Sequence, residues 1–232
     1  MKTLVAVFSG LMTVPSFAAI IAGYDFNSGT NTVSSSDSSV TADAFIPHGS
    51  INNVSRPVIY PNANGNGWIA APTSEVVGSS NPVGTETLAY QGSDYFSFKV
   101  TPTTGFALNL TQLSFGTAFH STGTFTLSGS YFVRSSVDNY ATTIGGNIFD
   151  ESHVNSTDPT FTERLVDLSG AGYQNLTSEV TFRIYLYDNS NSTTRWLAVD
   201  NVELEGTVTP VPEPSALAMI LPLLPFLSRR RR

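Results

Sequence analysis

The stretch that most restricts the fold is Val180–Tyr187, in which apolar side chains alternate with polar or aromatic ones. Successive side chains of a β-strand point to opposite faces of a sheet. One face of this segment therefore carries Val180, Phe182, Ile184 and Leu186, which we expect to be core. The opposite face carries Thr181, Arg183, Tyr185 and Tyr187. The pattern predicts a strand of a sheet that is packed on one side.

Other short runs rich in Val, Ile, Phe, Tyr and Thr are separated by Gly, Pro, Asn and Ser, with no convincing helical period. A first strand is expected at Gly23–Phe26, followed by the polar loop Asn27–Ser39. Closing strands are expected at Trp196–Val199 and Val202–Val208. Short strands at this spacing predict an all-β fold, an antiparallel two-sheet β-sandwich of the jelly-roll kind.

The middle of the chain carries two further strand signals. The apolar alternation shifts phase once between Leu110 and Leu113, which predicts a β-bulge or a break in the strand. Phe125–Leu127 and Tyr131–Arg134 are expected to form the two arms of a hairpin.

The first residues have the layout of a secretory signal peptide. Lys2 precedes an apolar core, Leu4–Val14, and the small residues Ser16 and Ala18 follow it. We therefore expect residues 1–18 to be removed by signal peptidase, with cleavage after Ala19 as the alternative. Residues 19–208 would then form one domain.

The last segment, 209–232, combines a turn, a short apolar run and positive charge. It contains Pro212, Glu213 and Pro214, then the uncharged run Ser215–Leu227, then Arg229, Arg230, Arg231 and Arg232. A helix over the apolar run would reach roughly 20 Å, short of the roughly 30 Å hydrocarbon core of a bilayer. The segment thus predicts a short hydrophobic transmembrane helix that ends at arginines on the cytoplasmic side. Such a short helix suits temporary anchoring in the membrane. A permanent C-terminal anchor is the alternative.

This tail resembles a PEP-CTERM sorting signal. The resemblance implies that a membrane-embedded cysteine protease, the exosortase, recognises Pro212, Glu213 and Pro214 and removes the tail. It implies export across the inner membrane of a Gram-negative bacterium, with transient contact to that membrane. The protein would then be released or attached at the cell surface or in the extracellular matrix, among the exopolysaccharide of a biofilm. Such a signal is an address and does not define what residues 19–208 do.

The charge of the remaining chain excludes some functions. The full chain has 11 basic and 18 acidic residues. Removal of both ends eliminates five basic residues, Lys2 and four arginines, and one acidic residue, Glu213. The remaining chain has 6 basic and 17 acidic residues and a net charge of −11. An acidic body repels phosphate backbones, so nucleic acid is not an expected partner. Because the chain has no cysteine, disulfides, thiolate catalysis and cysteine metal sites are excluded.

A weaker resemblance concerns the segment Ala198–Gly206, where Asp-Asn precedes a final alternating strand. It is similar to the end of carbohydrate-binding jelly-roll modules, in which the early strand and this Asp often contribute to a structural calcium site. The resemblance implies Asp25 and Asp200 as ligands, with backbone carbonyls completing the oxygen shell. The alternative is that Asp200-Asn201 makes a turn and that Asp25 is a solvated strand end.

A sugar site would need aromatic rings presented to solvent beside hydrogen-bonding groups. Tyr185 and Tyr187, with Arg183 between core-facing neighbours, fit this description if their face is exposed. Trp68 in a Gly- and Asn-rich loop is the other candidate. The alternative in each case is that the aromatic residue packs inside the sandwich, as we expect for Trp196.

The sequence offers little for an enzyme. His48, His120 and His153 lie far apart, and there is no zinc-protease spacing, nucleophile elbow or phosphate-binding loop. We therefore expect a structural or adhesive surface protein held in exopolysaccharide. A calcium-stabilised carbohydrate-binding module is the alternative, and a polysaccharide lyase or hydrolase is the third hypothesis.

Overall fold

The computed structural model describes residues 18–48, 58–61, 67–72, 86–93, 95–121, 125–153, 159–188 and 195–212. Within these ranges the chain forms two antiparallel sheets that enclose one core, which confirms the predicted β-sandwich. The apolar part of the predicted signal peptide and the tail from Glu213 onward, including its short helix, lie outside this description. None of the described helices is long and apolar enough to cross a membrane.

The strands in chain order are β1 (Ala19–Tyr24), β2 (Ser35–Ser36), β3 (Val40–Ala42), β4 (Ile46–Pro47), β5 (Val58–Pro61), β6 (Gly67–Pro72), β7 (Phe96–Pro102), β8 (Phe106–Ser121), β9 (Phe125–Ser135), β10 (Gly145–His153), β11 (Thr162–Asp167), β12 (Val180–Asp188) and β13 (Arg195–Pro210). A short helix, α1 (Glu86–Gly92), lies between β6 and β7. Among the described residues, sheet A has the order β11-β8-β13-β1-β2, with β6 also on β13 and β5 on β6. Sheet B has the order β10-β9-β12-β7-β3, and β4 also pairs with β7.

The core lies between the inner faces of the two sheets. Val180, Phe182, Ile184 and Leu186 of β12 are all buried, which confirms the face predicted from their alternation. Phe98 of β7 is the direct neighbour of Phe182, and their rings stack at 5.4 Å. Burial of each such side chain contributes about 2 kcal/mol, so the alternating apolar residues provide most of the driving force for the fold.

The predicted change of phase is a β-bulge in β8. Gln112 pairs with Glu205 of β13, but Leu110 pairs with the next residue, Gly206, so Thr111 is the extra residue. The bulge returns the apolar side chains on both sides of it to the core. Gly206 is needed opposite the bulge because a Cβ there would lie 2.3 Å from the backbone oxygen of Asn109.

A second bulge interrupts β13 at the predicted Asp-Asn position. Asp200 pairs with Gly116 and Glu203 pairs with Ser114, so Asn201 and Val202 stand opposite a single residue of β8. Asn201 has a positive φ of 45°. The prediction of two closing strands, and the alternative of a turn at Asp200-Asn201, are both wrong, because pairing with β8 continues on both sides of the bulge.

Three other local predictions are corrected. The expected hairpin is one continuous strand, β9, because its pairing with β10 and β12 holds the Ser128–Ser130 segment extended. The first strand is β1, which begins before Gly23 and ends at Tyr24, and the loop after it contains β2. Helix α1 was not predicted, because about two turns are too short to show a helical period.

Candidate functional site

The predicted sugar-binding residues of β12 occupy the outer face of sheet B. Arg183 and Tyr187 are half-buried there, but Tyr185 has a relative exposure of 0%. The ring of Tyr185 stacks on Phe132 of β9 at 4.3 Å, and both pack against buried Ala89 of α1. The condition for Tyr185 to bind sugar, an exposed ring, is therefore not met, because it packs beneath the unpredicted helix α1. Whether Arg183 and Tyr187 bind sugar stays a prediction.

Arg183 lies between two tyrosines that the sequence alone did not bring together. Its Cζ is 3.5 Å from the ring centroid of Tyr140 and 4.5 Å from that of Tyr95. Its side chain also hydrogen-bonds Tyr185. Burial raises the pKa of the Tyr185 hydroxyl, and the hydrogen bond and positive charge of Arg183 partly oppose that rise. The guanidinium thus makes cation–π contacts with two aromatic rings.

Tyr140 reaches this position through an unusual backbone. It follows the 3₁₀ turn Ser136–Asp138, and both Asn139 and Tyr140 have positive φ, 58° and 61°. A tyrosine in this region costs on the order of 1 kcal/mol, so neighbouring contacts must hold it. The Tyr140 N–H donates to the Ser135 oxygen at 2.8 Å, and Arg134 Nη1 donates to the Tyr140 oxygen at 2.9 Å.

The same turn is tied to α1 by a second arginine. Arg134 Cζ lies 4.1 Å from the ring centroid of Tyr90, and its Nη2 lies 3.1 Å from Glu86 Oε1. The Thr143 hydroxyl donates to the same Glu86 oxygen. Arg134 therefore holds α1 and the turn together, and its charge is compensated by Glu86.

His48 contacts Tyr95 and Ser97 next to Arg183. Its ring stacks on Tyr95 at 4.5 Å, and its Nε2 is 2.7 Å from the Ser97 hydroxyl. Burial, and then the positive charge of Arg183, lower the pKa of the imidazole. We refer to Tyr90, Tyr95, Tyr140 and Tyr187, with His48 and Arg183, as the aromatic platform.

Most of the platform was missed in the sequence because its members come from distant segments. Tyr90 lies on α1, Tyr95 directly before β7, and Tyr140 after β9. The sequence signal was the set of outward tyrosines on β12. It did not show which residues from other segments contact them. Trp68 lies in β6 and pairs with Tyr60, but its side chain is outside the described residues, so its role stays a prediction. The same holds for the side chain of Trp196.

The two predicted calcium ligands lie at the same junction in sheet A, where the charge of Asp25 acts on Asp200. Strand β13 pairs with β6 up to Val199 and with β1 from Val202, so Asp200 lies between the ends of its two partner strands. Asp25 follows directly after β1. The chain is tightly packed there, since a Cβ on Gly67 would lie 1.9 Å from the backbone oxygen of Phe26.

Electrostatics at this junction are unfavourable for a carboxylate. Asp200 is 7% exposed, and burial raises its pKa to about 6. The hydrogen bond from the Asn201 N–H lowers the pKa in part, and the negative charge of Asp25 raises it further. Asp25 is half-buried and accepts a hydrogen bond from the Asn27 N–H at 3.1 Å. Asp25 thus lies at the end of β1 and is partly solvated, and both its role as a calcium ligand and the alternative of a solvated strand end stay predictions.

The oxygen donors of Asp25 and Asp200 fit a hard cation such as calcium. No cluster of three or more His, Asp or Glu suited to a metal occurs among the described residues. A cation here would therefore also need carbonyl or water oxygens, in keeping with the predicted shell.

Comparisons with known proteins give structural similarity only. No protein-family model matches the chain, and no curated protein matches it in sequence. A carbohydrate-binding module specific for non-crystalline cellulose, CBM28, is 10% identical with a TM-score of 0.42, covering 70% of this chain and 88% of its own. The mannan-recognising module TmCBM27 is 11% identical with a TM-score of 0.40, covering 83% and 99%.

The K3 adhesin domain of Lys-gingipain from Porphyromonas gingivalis W83 is 13% identical with a TM-score of 0.39, covering 80% of this chain and 98% of its own. At TM-scores below 0.5, these similarities carry no conclusion about the function of this chain.

Proposed function

We propose that this protein is an exported, non-catalytic domain that adheres to exopolysaccharide through the aromatic platform. The observation that carries the proposal is Arg183 held between Tyr95 and Tyr140 on the outer face of sheet B. This joins the structural or adhesive role with the carbohydrate-binding alternative. The adhesive role would then depend on a defined sugar site.

The chemistry of the platform suits a sugar. A pyranose ring has C–H faces that pack on aromatic rings and hydroxyl edges that need hydrogen-bonding groups. Tyr90 is 36% exposed, and Tyr95, Tyr140 and Tyr187 are each half-buried, so none of these four tyrosines is fully buried. Arg183 supplies N–H donors beside them.

Hydrolysis finds no support in the platform. A glycosidase needs two carboxylates across the scissile bond. Among the described residues, Glu86 lies next to the platform and is bound to Arg134 and Thr143. A polysaccharide lyase or hydrolase therefore stays the third hypothesis.

Affinity electrophoresis tests the proposal directly. The full chain, kept in solution with a mild detergent, is run through gels containing different polysaccharides, including the producer's own matrix. We expect at least one polymer to retard the protein. The double variant Tyr95→Ala, Tyr140→Ala should bind that polymer about tenfold more weakly, or weaker still. The matched control is Val137→Ala, an exposed residue of the 3₁₀ turn near the platform. Absence of retardation in every gel would contradict sugar binding and leave a purely structural role.

A structural calcium ion at Asp25 and Asp200 is part of this proposal. Its support is the buried carboxylate of Asp200 next to the negative charge of the half-buried Asp25, since a divalent cation would neutralise both. When bound, the ion would fix the junction where β1 and β6 meet β13. Because the junction belongs to sheet A and the platform to sheet B, we assign the ion a role in stability and not in sugar contact.

We also propose that export and sorting follow from the two ends of the chain. The support is the order of the Pro-Glu-Pro motif, the apolar run and the arginine cluster at the C-terminus. In the producing bacterium, Glu213→Ala should prevent removal of the tail and raise the apparent mass of the mature protein. The control is Glu163→Ala, at an exposed position of β11. Unchanged processing of the Glu213 variant would rule out the sorting proposal.

A further inference from the structure

The geometry of Arg183 restricts what it can bind. The Cζ of Arg183 lies 4.5 Å from the ring centroid of Tyr95 and 3.5 Å from that of Tyr140, so the guanidinium contacts two aromatic rings. The N–H groups are the polar part of this side chain, and they also interact with the Tyr185 hydroxyl. A guanidinium fixed in this way loses little conformational entropy when it forms two parallel hydrogen bonds along one edge.

The charges around Arg183 differ from those around the other cations of the same face. Arg134 is paired with Glu86 at 3.1 Å, and Lys99 with both Asp43 at 3.3 Å and Glu179 at 3.2 Å. Among the described residues, no carboxylate oxygen lies within 4.0 Å of the Arg183 guanidinium. A chain of net charge −7 thus keeps a positive group on the platform whose described side-chain partners are the tyrosines Tyr95, Tyr140 and Tyr185.

We infer that Arg183 binds the carboxylate of a uronic acid unit, which makes the aromatic platform selective for acidic polysaccharides. This inference rests on the proposed polysaccharide binding and names the class of polymer. A carboxylate matches the planar N–H edge of a guanidinium in a bidentate pair. The neighbouring tyrosine rings would contact the C–H face of the same or the next sugar.

Two other roles for Arg183 make different predictions. If the arginine only holds the Tyr140 turn against sheet B, its replacement lowers stability and binding to all polymers alike. If it donates to sugar hydroxyls, neutral and acidic polymers bind equally well. Selectivity for the carboxylate is therefore the property to measure.

The test uses titration calorimetry of the full chain in mild detergent with oligogalacturonate and alginate oligomers. Each is compared with the same oligomer after its carboxyl groups have been reduced to alcohols. Hydrogen bonds to a charged group contribute enough to predict at least about tenfold tighter binding of one acidic oligomer than of its reduced form. Dextran sulfate is included to measure general attraction between an anion and the platform.

Variants then assign the selectivity to one side chain. Arg183→Gln should abolish the preference for the acidic form while keeping the weaker binding of the reduced form. Arg183→Lys should also lose most of the preference for the acidic oligomer, since an ammonium group cannot form the bidentate pair or stack on the rings. Lys99→Gln is the matched control, because it removes one positive charge from the same face and should leave the preference unchanged. Thermal melts verify folding, and Arg183→Lys replaces Arg183→Gln if the latter unfolds.

The outcomes separate the two proposals. Equal affinity for acidic and reduced oligomers would overturn the uronate inference and leave polysaccharide binding standing. Binding of dextran sulfate as tight as that of the uronates would replace carboxylate recognition by general charge attraction and overturn it as well. Absence of binding to every oligomer would overturn the uronate inference, while affinity electrophoresis with the wider set of polysaccharides decides polysaccharide binding separately.

Discussion

Asp25 directly follows β1 and Asp200 lies in β13, and the negative charge of Asp25 raises the pKa of the buried Asp200. Two close carboxylates destabilise a fold unless a proton or a cation is present. The sequence suggested this pair by resemblance alone. The structure adds a physical reason for a cation, namely that Asp200 loses much of its hydration in the bulge of β13.

Calcium should therefore stabilise the protein through this pair. We expect the melting temperature to rise by several degrees when calcium is added, since a ligand that binds only the folded state adds to its stability. Asp200→Asn should abolish the response. Glu163→Gln, at an exposed site on β11, serves as the control and should retain it. An equal response of the wild type and the Asp200 variant would exclude calcium at this junction.

In the presence of a chelator, stability should depend on pH through Asp200. Its pKa is about 6 in the folded protein against 3.8 ordinarily, so the folded state binds more protons between these values. The free energy of unfolding should fall as pH rises from about 4 to about 7, by on the order of 2 kcal/mol. Urea unfolding at several pH values measures this. Asp200→Asn should flatten the profile, and a profile with the same slope in both proteins would refute the assignment.

Tyr185 should matter for stability before it matters for binding. Its ring is fully buried and stacks on Phe132, so Tyr185→Ala should lower the free energy of unfolding by about 3 kcal/mol. Tyr185→Phe keeps the packing and removes only the hydroxyl that meets Arg183, so a loss of about 1 kcal/mol is expected. Denaturant unfolding distinguishes these values. An alanine variant as stable as the wild type would contradict the packing beneath α1.

Replacement of Tyr140, in contrast, should affect polysaccharide binding more than stability. Tyr140→Phe keeps the ring over Arg183 and should bind polysaccharide as the wild type does. Tyr140→Gly removes the ring but suits the positive φ, so it should weaken binding by about tenfold at little cost in stability. Affinity electrophoresis and thermal melts measure the two effects. Wild-type affinity of the glycine variant would remove Tyr140 from the site.

The contact between β6 and the end of β1 can be tested at Gly67. Gly67→Ala should lower stability by at least about 2 kcal/mol, because its Cβ would overlap the Phe26 backbone and separate the strands. Gly170→Ala is the control, since nothing lies within 4 Å of a Cβ there and its φ is −62°. Equal melting temperatures for the two variants would contradict the close approach.

Strand β12 and the bulge of β8 could be predicted because both depend on neighbours in the sequence. Side-chain alternation has a period of two, so a buried face such as that of Val180 and Phe182 is visible without tertiary information. An extra residue such as Thr111 shifts that period by one. The Gly129 region of β9 was misread as a turn because only its two partner strands hold it extended.

The sequence by itself determined the all-β sandwich and the inward side of β12, because hydrophobic burial follows local alternation. Only the tertiary structure decided which outward residues meet. It covered Tyr185 with α1 and placed Arg183 between Tyr95 and Tyr140, which come from separate parts of the chain. The same is true of Asp200, whose raised pKa depends on burial at a junction of three strands. Burial and charge coupling depend on distance in space, and alternation along one strand carries no information about it.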